Sequence, residues 1–270
     1  MLFGKRAQPW TGPKRVILHC GFRKTGTTTI QEWMRLNAAQ LPDGFVVSAR
    51  DELTQPFRQA VSRHIRKPDL KSVEREAQAL RVAIEGMNAE TVLVSDENLF
   101  GRFMMAEDGR DIFDLAAEIL PLLERAFGDA PLEFVFYTRE QDRWLRSAWA
   151  QDVKRAGVSQ PFDQWRSALS SISWETGLAR ITGALNAPVH VFRMEDDLSA
   201  SDPLMGRALF GFAGLSADQI ATSERPGREN ESLSAAALNF LLKVNALGLA
   251  QDDRRKVARL VEENRGCFVA

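Results

Sequence analysis

The sequence predicts an α/β fold of three layers, a central mainly parallel sheet flanked by helices, and three observations carry that prediction. Short strand-type runs recur at 16–18, 91–95, 134–137 and 189–193, the first of them an apolar run of the kind that a strand buried on both faces needs. Longer segments with a helical period separate them, the alternation that parallel crossover connections require. The first run ends in a glycine-bearing turn that opens directly into a helix, in the stretch RVILHCGFRKTGTTTI at 15–30.

Residues 1–14 are basic, contain Pro9, Gly12 and Pro13, and read as a flexible arm. Beyond the first strand, Gly21 and Gly26 punctuate the turn, and a helix over 27–39 has Ile30, Trp33, Met34 and Leu36 on its apolar side. Loop N–H groups and the positive end of that helix together form a site for an anion such as a phosphate. An ordinary strand-to-helix turn uses glycines too. The spacing is more specific, because Gly21 and Gly26 stand as the two glycines do in the phosphate-binding pattern G-x-x-x-x-G-K-[ST]. Thr27 replaces the lysine of that pattern, Thr28 keeps its hydroxyl, and a lysine occurs inside the loop at Lys24. The result is a phosphate cradle with Thr27, Thr28, Thr29, Arg23 and Lys24, without the lysine that a conventional ATP or GTP hydrolase uses.

A short strand at 45–47 follows, then 56–87 with helical period, broken at Pro68 with a new N-cap at Asp69. The RHIRK cluster at 63–67 reads as a solvated helix face. TVLVS at 91–95 is the next strand, and Asp96 and Glu97 emerge at its carboxyl end, the rim where open parallel sheets bind ligands. A carboxylate there suits a general base; the plainer reading is that Asp96 caps the turn and Glu97 is exposed. Residues 98–110 read as a mobile loop near the site. A helix at Ile112–Phe127, a strand ending at Arg139 and a helix over 140–155 come next. Phe162, Trp165 and Trp174 read as core anchors or as part of an acceptor pocket. A strand at Val189–Arg193 precedes a helical tail interrupted by a loop at 222–230.

Two motifs in this order resemble a known family. KTGTT, following a strand and opening a helix, resembles the 5′-phosphosulfate loop of sulfotransferases that use 3′-phosphoadenosine 5′-phosphosulfate (PAPS). Their second signature, an arginine at a strand end and a serine eight residues later on the next helix, is matched by Arg139 and Ser147 in YTREQDRWLRSAW. The resemblance implies a P-loop-like fold and PAPS as cofactor, with PAP as product. It implies that Arg23, Lys24, Thr25, Gly26, Thr27, Thr28 and Thr29 hold the 5′ end, while Arg139 and Ser147 hold the 3′-phosphate. The activity implied is transfer of a sulfonate to a hydroxyl or amine of a small-molecule or glycan acceptor, without a metal. Lys24 stabilises the leaving phosphate in that scheme and Glu97 is the base, with Asp96 in reserve, since several related enzymes use a glutamate. Arg225, Pro226, Gly227 and Arg228 match only part of the C-terminal loop that covers the nucleotide in related cytosolic enzymes. Two other classes stay open: a catalytically silent PAP-binding protein, and a nucleotide kinase on the same fold, against which Thr27 argues.

Composition bounds these readings. With 270 residues, 44% hydrophobic and 26% charged, the chain suffices for one domain spanning 1–270. A net charge of −1 gives no global attraction to nucleic acid or an anionic membrane, so an anion site must be local. Cys20 and Cys267 have no metal-type spacing and suggest no disulfide framework. No signal-peptide core or apolar run of about 18 residues occurs, so a soluble cytoplasmic protein without membrane insertion is expected.

Overall fold

The computed structural model describes residues 9–102, 104–169, 171–227 and 232–268. The chain groups into two compact units, one from Met1–Arg139 and Ser173–Pro226 and the other from Glu140–Ile172 and Gly227–Ala270. In chain order the strands are β1 (Arg15–His19), β2 (Phe45–Ala49), β3 (Thr91–Ser95), β4 (Leu132–Thr138) and β5 (Val189–Arg193). The α-helices are α1 (Thr27–Asn37), α2 (Gln55–Arg66), α3 (Leu70–Glu85), α4 (Ile112–Phe127), α5 (Gln141–Arg155), α6 (Phe162–Ser167), α7 (Trp174–Ala184), α8 (Met194–Ser199), α9 (Arg207–Phe212), α10 (Ala217–Ala221), α11 (Ala235–Ala246) and α12 (Gln251–Glu263).

In the first unit the five strands form one sheet in the order β2-β3-β1-β4-β5, every pairing parallel. Crossover connections cover both faces, which explains why β1 and β3 are near-continuous apolar runs rather than alternating ones. On one face Ile17, Leu93, Val135 and Tyr137 pack with Ile30, Trp33 and Met34 of α1 and with Leu209 and Phe210 of α9. Trp33 stacks on Phe210 with ring centroids 3.8 Å apart. The other face carries an aromatic cluster in which Phe22, from the turn after β1, meets Phe100, Phe113, Phe136 and Trp174. Helix α4 is fixed at its start by a reciprocal Asp111–Asp114 capping box and accommodates Pro121 in its interior.

Three expectations change here. Residues 9–14 are anchored: Trp10 packs on Phe127, Arg81 lies over its ring, and the Thr11 amide donates to Glu85. Residues 1–8 of the expected arm lie outside the described residues. The segment after Asn98 is packed, since Leu99 and Phe100 are fully buried and Met105 bridges to Asp111. Helix α1 ends at Asn37 and continues as one 3-10 turn, Ala38–Gln40. The second unit is helical: α5, α11 and α12 share an apolar core of Val153, Leu233, Ala237, Leu241, Ala258 and Val261. Lys154 and Arg155 close on Glu262 at its edge. No described helix is long and apolar enough to cross a membrane.

Candidate functional site

Strand β1 lies between β3 and β4, so the turn at 20–26 opens where the chain leaves the sheet in opposite senses. That is the kind of position at which parallel sheets bind ligands. The adjoining strand ends are tied to it: the Asp96 amide donates to the His19 carbonyl and the Cys20 amide to the Val135 carbonyl. Gly21, Lys24 and Gly26 have positive φ, of 36°, 70° and 87°. The glycines meet this requirement without strain, whereas Lys24 is a non-glycine residue held in a left-handed conformation. A Cβ on Gly26 would stand 2.6 Å from Met205 Sδ, and one on Gly21 would stand 2.8 Å from Thr27 Oγ1, so the turn is closed on itself and against the 205 segment.

Helix α1 starts at Gly26 with no side-chain cap and no acidic residue in its first turn. Among the described residues the backbone N–H groups of Gly26, Thr27 and Thr28 find no acceptor; the first such bond in this helix is from Thr29 to the Gly26 carbonyl. Thr27 is buried and its Oγ1 has no hydrogen-bond partner among the described residues. An uncapped helix start with a buried, unpartnered hydroxyl beside it is suited to an anion. Of the other hydroxyls, Thr25 Oγ1 donates to the Phe22 carbonyl at 2.6 Å and is a brace for the turn. Thr28 is exposed and Thr29 half-buried.

The basic residues divide by role. Arg23 is buried and donates from Nη1 to the Arg102 carbonyl at 3.0 Å, so it ties the turn to the segment after β3. Arg139, just past β4, donates from Nη1 to the Lys24 carbonyl at 3.4 Å, and its own carbonyl accepts from Trp174 Nε1 at 2.7 Å. The arginine of the second motif is thus in contact with the loop of the first, across a separation of 115 residues in sequence. Ser147 is half-buried on α5 of the second unit, where the Glu140 side chain caps the helix start through the amides of Asp142 and Arg143. Trp174 belongs to the first unit, whereas Phe162 and Trp165 belong to the second, where Phe162 packs with Trp149 and Arg146.

The two carboxylates after β3 have different surroundings. Asp96 is fully buried, accepts from Thr54 Oγ1 at 2.6 Å and the Asn98 amide at 3.0 Å, and pairs with Arg58 Nε at 2.5 Å. Burial nevertheless pushes its carboxyl up to about 6 against the pull of these partners. Every oxygen is committed, so Asp96 fastens α2 to the sheet. Glu97 is at the surface of the site, with Oε2 accepting from Gln31 Nε2 at 2.8 Å and Oε1 from Arg50 Nη1 at 2.9 Å. Gln31 also donates to the Ser95 carbonyl at 3.1 Å. It lies four residues past Thr27, about 6 Å along the helix axis, and so sets Glu97 beside the opening turns of α1.

Sequence reasoning missed Gln31, Arg50 and His19. Gln31 was discoverable, since a residue four past Thr27 shares its helix face. Arg50 carries no sequence signal; it is found only through the β2–β3 register, which pairs Ala49 with Ser95. His19 is fully buried at the end of β1, with Nδ1 2.8 Å from Ser95 Oγ and Nε2 unpartnered among the described residues. Burial lowers its pKa to about 3, so it is a neutral imidazole at neutral pH. The predicted covering loop is only partly described: Arg225 pairs with Asp202 at 2.6 Å and Glu224 is fastened to Asn37 of α1, while Arg228 lies outside the described residues. No protein-family model matches the chain, and a search of curated proteins finds no significant match.

Proposed function

We propose that this protein is a PAPS-dependent sulfotransferase on a P-loop-like fold. The observation that carries the reading is the contact of Arg139 with the Lys24 carbonyl, which joins the residues of two separately resembling motifs at one rim of the sheet. The uncapped start of α1 and the buried, unpartnered Thr27 hydroxyl support an anionic ligand there. When bound, PAPS supplies the sulfonate and a 5′-phosphate that takes up negative charge as it leaves. The amides of Gly26, Thr27 and Thr28 and the hydroxyls of Thr27, Thr28 and Thr29 hold that 5′ end, with Thr25 bracing the turn, and Lys24 stabilises the charge that develops there. Arg139 offers a planar fork suited to the oxygens of the 3′-phosphate. Ser147 enters this assignment on the resemblance alone. Glu97 is the base that takes the proton from the acceptor, and Asp96, committed to Arg58 and Thr54, is the weaker candidate. A cytoplasmic location belongs to the same proposal.

One observation favours a second reading, a silent PAP-binding protein: both Glu97 oxygens already accept hydrogen bonds. The two are separated by incubating the protein with PAPS labelled on sulfur and a mixed set of hydroxyl and amine acceptors. The sulfotransferase reading expects labelled products heavier by one sulfonate. Tight PAP binding with no transfer to any acceptor favours the silent protein, and phosphate transfer from ATP with Mg²⁺ would point to a kinase.

A further inference from the structure

The pairing of Glu97 with Arg50 bears on the class of acceptor. Arg50 is the residue just past β2, and the register of β2 with β3 sets it beside the residues just past Ser95. Its backbone is left-handed, with φ 51°, a conformation disfavoured for a residue with a side chain and concentrated at functional positions. The adjoining backbone is held in place, because the Ala49 carbonyl accepts from Arg35 Nη2 of α1 at 3.1 Å. Arg50 Nη1 donates to Glu97 Oε1, and Glu97 is the one partner found for this side chain among the described residues. The Arg50 side chain is 43% exposed, whereas Glu97 is 13% exposed. An exposed arginine is thus paired with a largely covered carboxylate, and its remaining N–H donors have no partner among the described residues.

We propose that Arg50 recognises an anionic group on the acceptor, a carboxylate, sulfate or phosphate ester close to the hydroxyl that is sulfonated, and that by doing so it uncovers Glu97. The proposal rests on the sulfotransferase reading. A guanidinium matches such anions through two parallel hydrogen bonds, so the acceptor anion replaces the single bond to Glu97 Oε1 with a bidentate one. The Arg50 end of the pair is open to solvent, so the guanidinium can exchange partners from the solvent side. Gln31 keeps its bond to Glu97 Oε2, and the carboxylate stays in place as Arg50 leaves Oε1, which then keeps only the long 3.4 Å contact from Asn98 Nδ2. In the transfer step the acceptor hydroxyl proton passes to Oε1, and the acceptor oxygen forms its bond to sulfur. The sulfur–oxygen bond to the 5′-phosphate breaks, and its electron pair leaves on PAP. An acceptor without the anion leaves Arg50 on Glu97 and the base covered.

The test uses the full-length protein saturated with PAP and two probes that differ only in the group meta to the phenol, 3-hydroxybenzoate and 3-hydroxybenzyl alcohol. Calorimetry should show the benzoate binding at least about tenfold more tightly, the size of a charge-assisted hydrogen bond. Arg50→Gln should remove that preference while PAP affinity holds. Glu97→Gln, which releases Arg50 from its competitor, should tighten the benzoate and leave the alcohol unchanged. With PAPS in place of PAP, Arg50→Gln should slow sulfonation of the benzoate and speed that of the alcohol. Equal binding of the two probes to the wild type, or a preference that survives Arg50→Gln, overturns the proposal. If PAP itself does not bind, the sulfotransferase reading falls and this proposal with it; if PAP binds and the preference is missing, only the role of Arg50 falls.

Discussion

Gly26→Ala is the sharpest perturbation of the turn on which the site depends. At φ 87° a residue with a Cβ is strained by about 1–2 kcal/mol. The new methyl would also stand 2.6 Å from Met205 Sδ and 2.7 Å from its Cγ. Met205 belongs to the buried cluster beneath the sheet, so its side chain has to move within a filled core, at a cost of about 1–3 kcal/mol. The sum, about 2–5 kcal/mol, should appear as a lower urea midpoint with an unchanged slope. Because the same strain displaces the amides of Gly26 and Thr27, PAP affinity should fall as well. Gly183→Ala is the control: this glycine lies within α7, its added methyl meets nothing within 4 Å, and it should be neutral or slightly stabilising. Repeating Gly26→Ala in a Met205→Ala background should recover the part due to overlap. A loss below about 0.5 kcal/mol, the range of ordinary surface changes, with PAP binding intact, would refute the left-handed turn described above.

Three further outcomes follow from the same geometry. Lys24→Ala should lower the transfer rate by about 10²–10³ while PAP affinity is largely kept, because the charge it meets develops only during transfer; near-normal turnover removes Lys24 from that role. Glu97→Gln should slow single-turnover transfer by about 10²–10⁴, and Asp96→Asn should act mainly on stability; a slow step only in Asp96→Asn reverses the assignment. The pH dependence of stability tests both buried groups. Asp96, raised from 3.8 to about 6 in the folded state, contributes stability that is full below pH 4 and lost as pH rises through 6, up to about 3 kcal/mol. His19, lowered from 6.5 to about 3, contributes stability present above 6.5 and lost as pH falls towards 3. The two oppose each other between pH 4 and 6, so Asp96→Asn should become more acid-labile than wild type in that window and His19→Gln less so. Urea midpoints at three pH values measure it, and parallel profiles for all three proteins would contradict these shifts.

Much of the fold was readable because strand burial on both faces leaves an unmistakable apolar run. TVLVS becomes β3 with the boundaries the pattern gives, whereas Val189–Arg193 becomes the edge strand β5, none of whose residues is fully buried. The glycines at 21 and 26 announced the turn because a left-handed backbone is costly for other residues. Lys24 shows the limit of that signal, since it adopts the same conformation without being glycine. The division into two units was not legible, because the second is assembled from segments before 173 and after 226, and no linker marks its edges. Of the arm expected over 1–14, residues 9–14 are anchored for a related reason: Trp10 is held by Phe127, Arg81 and Asp129, partners more than 70 positions away. At the site, position at a strand end identified Glu97 and Asp96, but only the packing distinguishes them. Asp96 is enclosed by Arg58 and Thr54 from α2 and its approach, while Glu97 faces Gln31 and Arg50.

The central claim is that Arg139 and the turn after β1 together bind a nucleotide carrying a 3′-phosphate. Its most direct test is the affinity of wild type and Arg139→Ala for PAP and for adenosine 5′-monophosphate, which lacks that group. The wild type should favour PAP by at least about tenfold, the value of a charged hydrogen bond, and Arg139→Ala should bind the two alike. Equal affinities in the wild type, or a preference for PAP undiminished in Arg139→Ala, would contradict the account.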